Sequence, residues 1–199
     1  MPTATLRPSG DGTLGSWTRF PASGTWASQI DEAVASNDGD STYVQSPNVT
    51  TSTMFVELDN VPGDFNPNGI TALTINVAHR RINTPVMAVD LGTVNAFVVR
   101  SDETTAISTT PTAVASPIQA GYQQNALTPT VTGTHTVADW DGARLALVFT
   151  HTASQTIDTI NQIRISAAEV VVTYDLAPSF NPRPNPPTIL QAVNRASTF

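Results

Sequence analysis

Leu73-Thr74-Ile75-Asn76-Val77-Ala78 decides the fold class, because Leu73, Ile75 and Val77 alternate with residues that tolerate the opposite surface. Side chains of a β-strand point alternately to its two faces, so period-two alternation marks a strand with one face buried. Similar segments run through Thr53 to Leu58, Val86 to Leu91, Val94 to Arg100, Thr128 to Val137, Arg144 to His151 and Ile163 to Tyr174. With strands near Thr3 to Arg7 and Tyr43 to Gln45, the expectation is eight or nine strands. Long runs at period 3.6 are missing.

Turn signals separate these runs. Asn60-Val61-Pro62-Gly63-Asp64, Asn66-Pro67-Asn68-Gly69 and Asp139-Trp140-Asp141-Gly142 are rich in residues that accept tight backbone conformations. Strands at this spacing predict an all-β fold, an antiparallel two-sheet sandwich or jelly roll of about eight strands. Only Trp26 to Ala35 reads as helical, with Ser28 as cap and Ile30 and Val34 on one side. The spacing predicts a short lid there.

A chain of 199 residues suits one such domain. Charged residues make up 13%, against about 25% in ordinary soluble domains, so Thr, Ser, Asn and Gln must supply much of the surface. All nine basic residues are Arg, and the net charge of -7 would repel nucleic acid phosphates. No nucleic acid partner is expected. Cysteine is absent, which removes disulfides and thiolate metal sites. The opening MPTATLRPSGDG has no apolar secretory run, and no 18-residue apolar stretch occurs. The expectation is a chain made in the cytoplasm with no membrane partner.

The residues divide as a sandwich domain over 1–177 and an extended Pro-rich C-terminal arm over 178–199. Five prolines between positions 178 and 187, among them Pro182, Pro184, Pro186 and Pro187, impose extended geometry and exclude a central strand. An apolar tip follows, with Ile189, Leu190, Val193 and the terminal Phe199. Ordering each arm residue costs about 1–2 kcal/mol. Offsetting even about 20 kcal/mol requires roughly 800 Å² of apolar burial at 25 cal/mol per Å². Those few side chains reach that only against a sizeable foreign surface, so these arm residues are the expected partner contacts. The alternative is an arm folded back on its own domain.

Little in the chain suggests catalysis. His79, His135 and His151 lie in strand-like segments without a partner at metal-ligand spacing and read as surface or edge side chains. No G-x-S-x-G elbow, phosphate-cradling glycine loop or H-E-x-x-H occurs. Asn37-Asp38-Gly39-Asp40-Ser41 offers oxygen atoms of the kind calcium prefers but lacks the EF-hand spacing. A tight loop whose Asp side chains bond its own backbone is the favoured reading. Asp102 and Glu103 read as a solvated loop. No cofactor and no metal are expected.

Trp17, Trp26 and Trp140 are either core residues or, for Trp17 and Trp26, platforms for the apolar faces of sugars; core packing is favoured for each, and Trp140 is placed to close an end of the sandwich.

The chain resembles a recurrent phage and prophage virion protein with a β-sandwich domain of decoration or cement type. Its carriers are Leu6-Arg7-Pro8, Gly15-Ser16-Trp17, Ala27-Ser28-Gln29-Ile30-Asp31-Glu32-Ala33, the acidic loop, and Tyr43-Val44-Gln45-Ser46. Later pieces agree: Val137-Ala138-Asp139-Trp140, Arg144-Leu145-Ala146-Leu147, and Ile165 to Tyr174. These cover roughly residues 5 to 175, and the proline-rich arm lies outside them. The resemblance brings no catalytic residues. It implies a virion location and a non-enzymatic protein that binds and stabilises the capsid surface. Its partners would be the major capsid protein or other virion proteins, and its own assembly a homo-oligomer, trimers included. Alternatives are a carbohydrate-binding adhesin or fibre module, or a neck or tail component.

Overall fold

The computed structural model describes residues 1–49, 51–84, 92–116, 121–151 and 160–176. Eleven strands appear among them: β1 (Thr3–Leu6), β2 (Pro8–Asp11), β3 (Thr18–Phe20), β4 (Tyr43–Gln45), β5 (Thr51–Leu58), β6 (Ile70–Thr84), β7 (Gly92–Val99), β8 (Val114–Ser116), β9 (Gln123–Leu127), β10 (Arg144–His151) and β11 (Ile160–Tyr174). One short helix, α1 (Val137–Asp141), precedes β10.

All pairings are antiparallel, and they form two sheets. The first has the order β3-β4-β11-β6-β9, with β1 also pairing β11; the second has the order β2-β5-β10-β7-β8. From β4 onward the chain alternates between them except at β7–β8, giving the four-strand sets β4-β11-β6-β9 and β5-β10-β7-β8. That interleaving is a jelly roll of eight strands. The first three strands are additions: β1 and β2 place one extended run on both sheets, and β3 extends the first sheet beyond β4.

Alternation along each strand builds the core. In β5, Ser52, Met54, Val56 and Leu58 are buried while their neighbours are not. In β6, Leu73, Ile75, Val77, His79 and Arg81 share the inward face. Leu73, Ile75 and Val77 meet Val94, Ala96 and Val98 of β7, Leu145, Leu147 and Phe149 of β10, and Ile163, Ile165, Val170 and Val172 of β11 in one cluster. Each large aliphatic side chain so buried contributes about 1.5–3 kcal/mol.

Several sequence expectations need correction. Thr128 to Val137 is not a strand: the strand ends at Leu127, Pro129 follows, and Val131 makes only an isolated bridge to Ser108. A proline cannot donate to the ladder, and Thr136 starts α1 with a reciprocal capping box to Asp139. The Trp26 to Ala35 segment forms two 3-10 turns, Ala27–Gln29 and Val34–Ser36, instead of one helix. Ser28 is not its cap; the Ser28 N–H donates to Thr25 Oγ1 at 3.1 Å. The strand expected at Val86 to Leu91 lies outside the described residues.

The sandwich has two distinct poles. Register pairs Thr84 with Ile160, His151 with Gly92, and Gly92 with Ser116, so these strand ends gather at one pole. Tyr174 pairs with Ile70, and Arg144 with Val99, at the other. β11 spans the distance between poles, roughly 45 Å for 15 residues at 3.3 Å per step.

Candidate functional site

Residues 177–199 lie outside the described structure, and with them the arm residues Pro182, Pro184, Pro186, Pro187, Ile189, Leu190, Val193 and Phe199. What the structure does give is the place the arm leaves from. Tyr174 is the last residue of β11, its N–H donates to Pro2 O at 3.1 Å, and Leu176 beyond it is 56% exposed. Met1 and the start of the arm therefore emerge side by side.

Aromatic rings close this pole. Trp140 on α1 is fully buried and meets Phe65 edge-on at 5.4 Å, and Phe65 meets Tyr174 edge-on at 4.8 Å. The Tyr174 hydroxyl donates to Asp64 Oδ1 at 3.1 Å, while burial and then the Asp64 contact raise its pKa. Trp140 thus fills the position expected of it. Against the flank of the same pole, Ile70, Thr71, Ala72 and Leu73 of β6 and Pro129, Thr130 and Val131 line a groove of about 220 Å³.

Neither tryptophan weighed as a sugar platform presents a free face. Trp17 is 3% exposed and belongs to the core. Trp26 is partly buried against that core, with the Arg19 guanidinium 5.2 Å from its ring centroid. Among the described residues, the exposed aromatic that sequence reading misses is Phe20, 49% exposed on the edge strand β3 and stacked on Tyr43 at 5.2 Å. From the strand on the other side of β4, Arg164 lies 4.2 Å above the Tyr43 ring. No local pattern announces Phe20; it reaches solvent because β3 is an addition at the sheet edge.

Beside this stack the acidic loop folds over the outer face of the first sheet. Asp40 accepts from Arg80 at 2.7 Å and Arg164 at 3.0 Å, and from the Tyr122 hydroxyl at 3.3 Å. One carboxylate therefore ties β6, β11 and the approach to β9 together. Burial first, and the Asp40 charge second, push the Tyr122 phenol above its ordinary range. The network continues from Arg164 Nε to Gln45 at 3.0 Å, from Gln45 to Gln162 at 3.1 Å, and from Gln162 to Ser46 O at 2.9 Å.

Asp38 accepts from both the N–H and the hydroxyl of Thr42, so this loop does bond its own backbone. With Asp40 held by two guanidiniums, an added cation would face repulsion from both. The Asp102 loop behaves likewise. Asp102 accepts from Thr105 and Thr104, bonds that hold its carboxyl below the usual range. Glu103 ties back to the Thr13 N–H at 2.8 Å.

Two histidines are corrections. His79 and His135 are buried, at 0% and 5% exposure, where surface or edge positions were expected; the His151 side chain is outside the described residues. His79 shares the parity of Leu73, Ile75 and Val77, which carries it into the core. Burial lowers its pKa to about 4, so the neutral ring pairs with Asn125 Nδ2 at 2.7 Å. His135 pairs with Thr132 O.

No protein-family model and no curated protein matches the chain. A solved structure described as "CBM4 structure and function" aligns with 81% of this chain and 92% of its own, at 15% identity and a TM-score of 0.30. That superposition is too loose to bear on function.

Proposed function

We propose that this chain is a non-catalytic structural protein of a phage virion, of capsid decoration or cement type. It attaches through the pole from which residues 177–199 leave and turns the opposite pole outward. The observation that carries the reading is the polarity of the jelly roll: Leu176, exposed at the exit, stands about 45 Å along β11 from the strand ends of the other pole. An anchor at one end and a display surface at the other is the division of labour a surface-bound protein needs.

The residues on which the resemblance to virion proteins rests support a structural use. Trp17 fills the core, Ile30 O accepts from Ala168 at 3.1 Å, and Asn37 bonds Ser166 at 3.1 Å. The segment from Ile30 to Ser46 is thus strapped onto β11. Charged side chains close on one another in the same way: Arg144 with Glu57, Arg100 with Asp139, Arg7 with Glu169. Deleting residues 178–199 should leave the sandwich folded and abolish incorporation into particles. Normal incorporation of the shortened chain defeats the proposal.

The half-exposed Phe20 stacked on Tyr43, next to the Arg164 and Gln45 hydrogen-bonding groups, favours a second reading, a sugar-binding module. It requires polysaccharide binding that Phe20→Ala removes without loss of stability. Unchanged binding in that variant, or no binding by the parent chain, eliminates it.

A further inference from the structure

β6 has partners on both sides for only part of its length. β11 accompanies it from Ile70 to Thr84, but β9 begins its pairing at Ile75 opposite Leu127 and runs to His79. Beyond Leu127 the chain turns to the second sheet's side, where Val131 bridges Ser108. Among the described residues, no strand therefore lies along the β9 side of Thr71 to Thr74. Thr71 and Ala72 are exposed there. An open strand edge of this kind is a template for another strand.

The groove of about 220 Å³ runs along this open edge, floored by Ile70 and Leu73 and walled by Pro129, Thr130 and Val131. Its volume is below the roughly 300–1,000 Å³ of small-molecule sites. It accommodates an anchoring side chain of an added strand.

We infer that this groove receives the Thr188–Val193 segment of a second copy of the chain, added as a strand beside β6. The inference rests on the proposed structural role of the arm and names what the arm docks on. Three observations converge on that occupant. The arm starts at the same pole as the groove, since Asp175 N donates to Gly69 O at 2.8 Å and Tyr174 pairs with Ile70. Thr188-Ile189-Leu190-Gln191-Ala192-Val193 has strand composition, and period two sets Leu190 between the small Thr188 and Ala192 on one face, a single large anchor for a small groove.

The third is length. The free position beside β6 lies two strand spacings from β11, about 10 Å. The ten residues 178–187 include five prolines, and at about 3.1 Å per residue such a spacer runs roughly 31 Å. A spacer of this composition is semi-rigid and about three times longer than a return into its own groove requires, which disfavours that return. It reaches the groove of a neighbour, which makes the arm a link between copies.

The test is the solution mass of the full chain and of two variants placed outside the core. Leu190→Asp lies in the arm, and Ala72→Lys puts a charge on the exposed edge. The parent chain is expected to give at least twice the monomer mass, and each variant alone the monomer mass. A mixture of the two variants is expected to recover a 1:1 dimer, because the intact arm of one fits the intact groove of the other. A monomeric parent, an oligomer indifferent to either variant, or a mixture that stays monomeric overturns the inference. Particle incorporation separates the two proposals. A monomeric parent whose shortened form fails to incorporate leaves the virion role standing and removes the arm exchange. An arm-linked oligomer whose shortened form incorporates normally does the reverse.

Discussion

Replacing Trp140 by Ala removes the largest fully buried side chain, at the pole from which the arm departs. Large-to-small truncation of a buried Trp costs about 3–5 kcal/mol. Its edge-on contact with Phe65 at 5.4 Å accounts for about 0.5–1.5 kcal/mol of that. Against a total stability of roughly 5–15 kcal/mol, the variant loses a large share, and at about 2–4 °C per kcal/mol its melting temperature falls by roughly 6–20 °C. The assay is urea unfolding of parent, Trp140→Ala, Phe65→Ala and the double variant, followed by circular dichroism. The two single losses should exceed the double loss by the ring–ring coupling. Trp140→Phe is the control: the indole N–H has no acceptor among the described residues, so a smaller ring gives up area and no hydrogen bond. It should lose clearly less than Trp140→Ala, because the smaller ring leaves a smaller cavity. A Trp140→Ala loss under about 1 kcal/mol, the behaviour of an exposed ring, refutes the closure of this pole by Trp140.

Protonation of His79 supplies a second expectation. Its pKa is about 4 folded and 6.5 when freely solvated, so between those values the unfolded chain binds a proton that the folded chain does not. Stability should therefore fall as pH drops from 6.5 to 4, by about 3 kcal/mol at the end of the window. His79→Gln should lose that part of the slope in urea midpoints measured across the range, and an identical slope counts against the buried neutral ring. Third, Asp40→Ala removes the acceptor shared by Arg80, Arg164 and Tyr122. Asp40 is half exposed, so solvent screening limits the loss to about 1–2 kcal/mol. Raised salt should narrow the gap between the variant and the parent; a gap that widens with salt contradicts the ion-pair account.

Much of the architecture was legible locally. Tyr43 to Gln45 and Arg144 to His151 match β4 and β10 at both ends, and the reading of the last strand erred only at its start. Alternation reports burial on one face of a strand, and that is a property of neighbouring residues alone. The same parity rule takes His79, and Arg81 beyond it, inward with Leu73, Ile75 and Val77, against the surface or edge position that the polar identity of His79 suggests. Thr136 and Asp139 carry the capping-box chemistry of α1, divided between an expected strand that ends at Val137 and a turn signal that begins at Asp139.

What sequence alone determined, then, was the fold class and the set of inward positions, because both follow from periodicity within single strands. Tertiary structure decided which aromatic ring reaches solvent and which charges meet. Asp40, Arg80, Tyr122 and Arg164 are 124 residues apart at their extremes and converge only because β6, β11 and β9 lie side by side. It also decided that β9 stops short along β6 and that the chain leaves beside the resulting open edge. Strand order and length mismatch between partners exist only once the sheets have closed, so no reading of one strand at a time contains them.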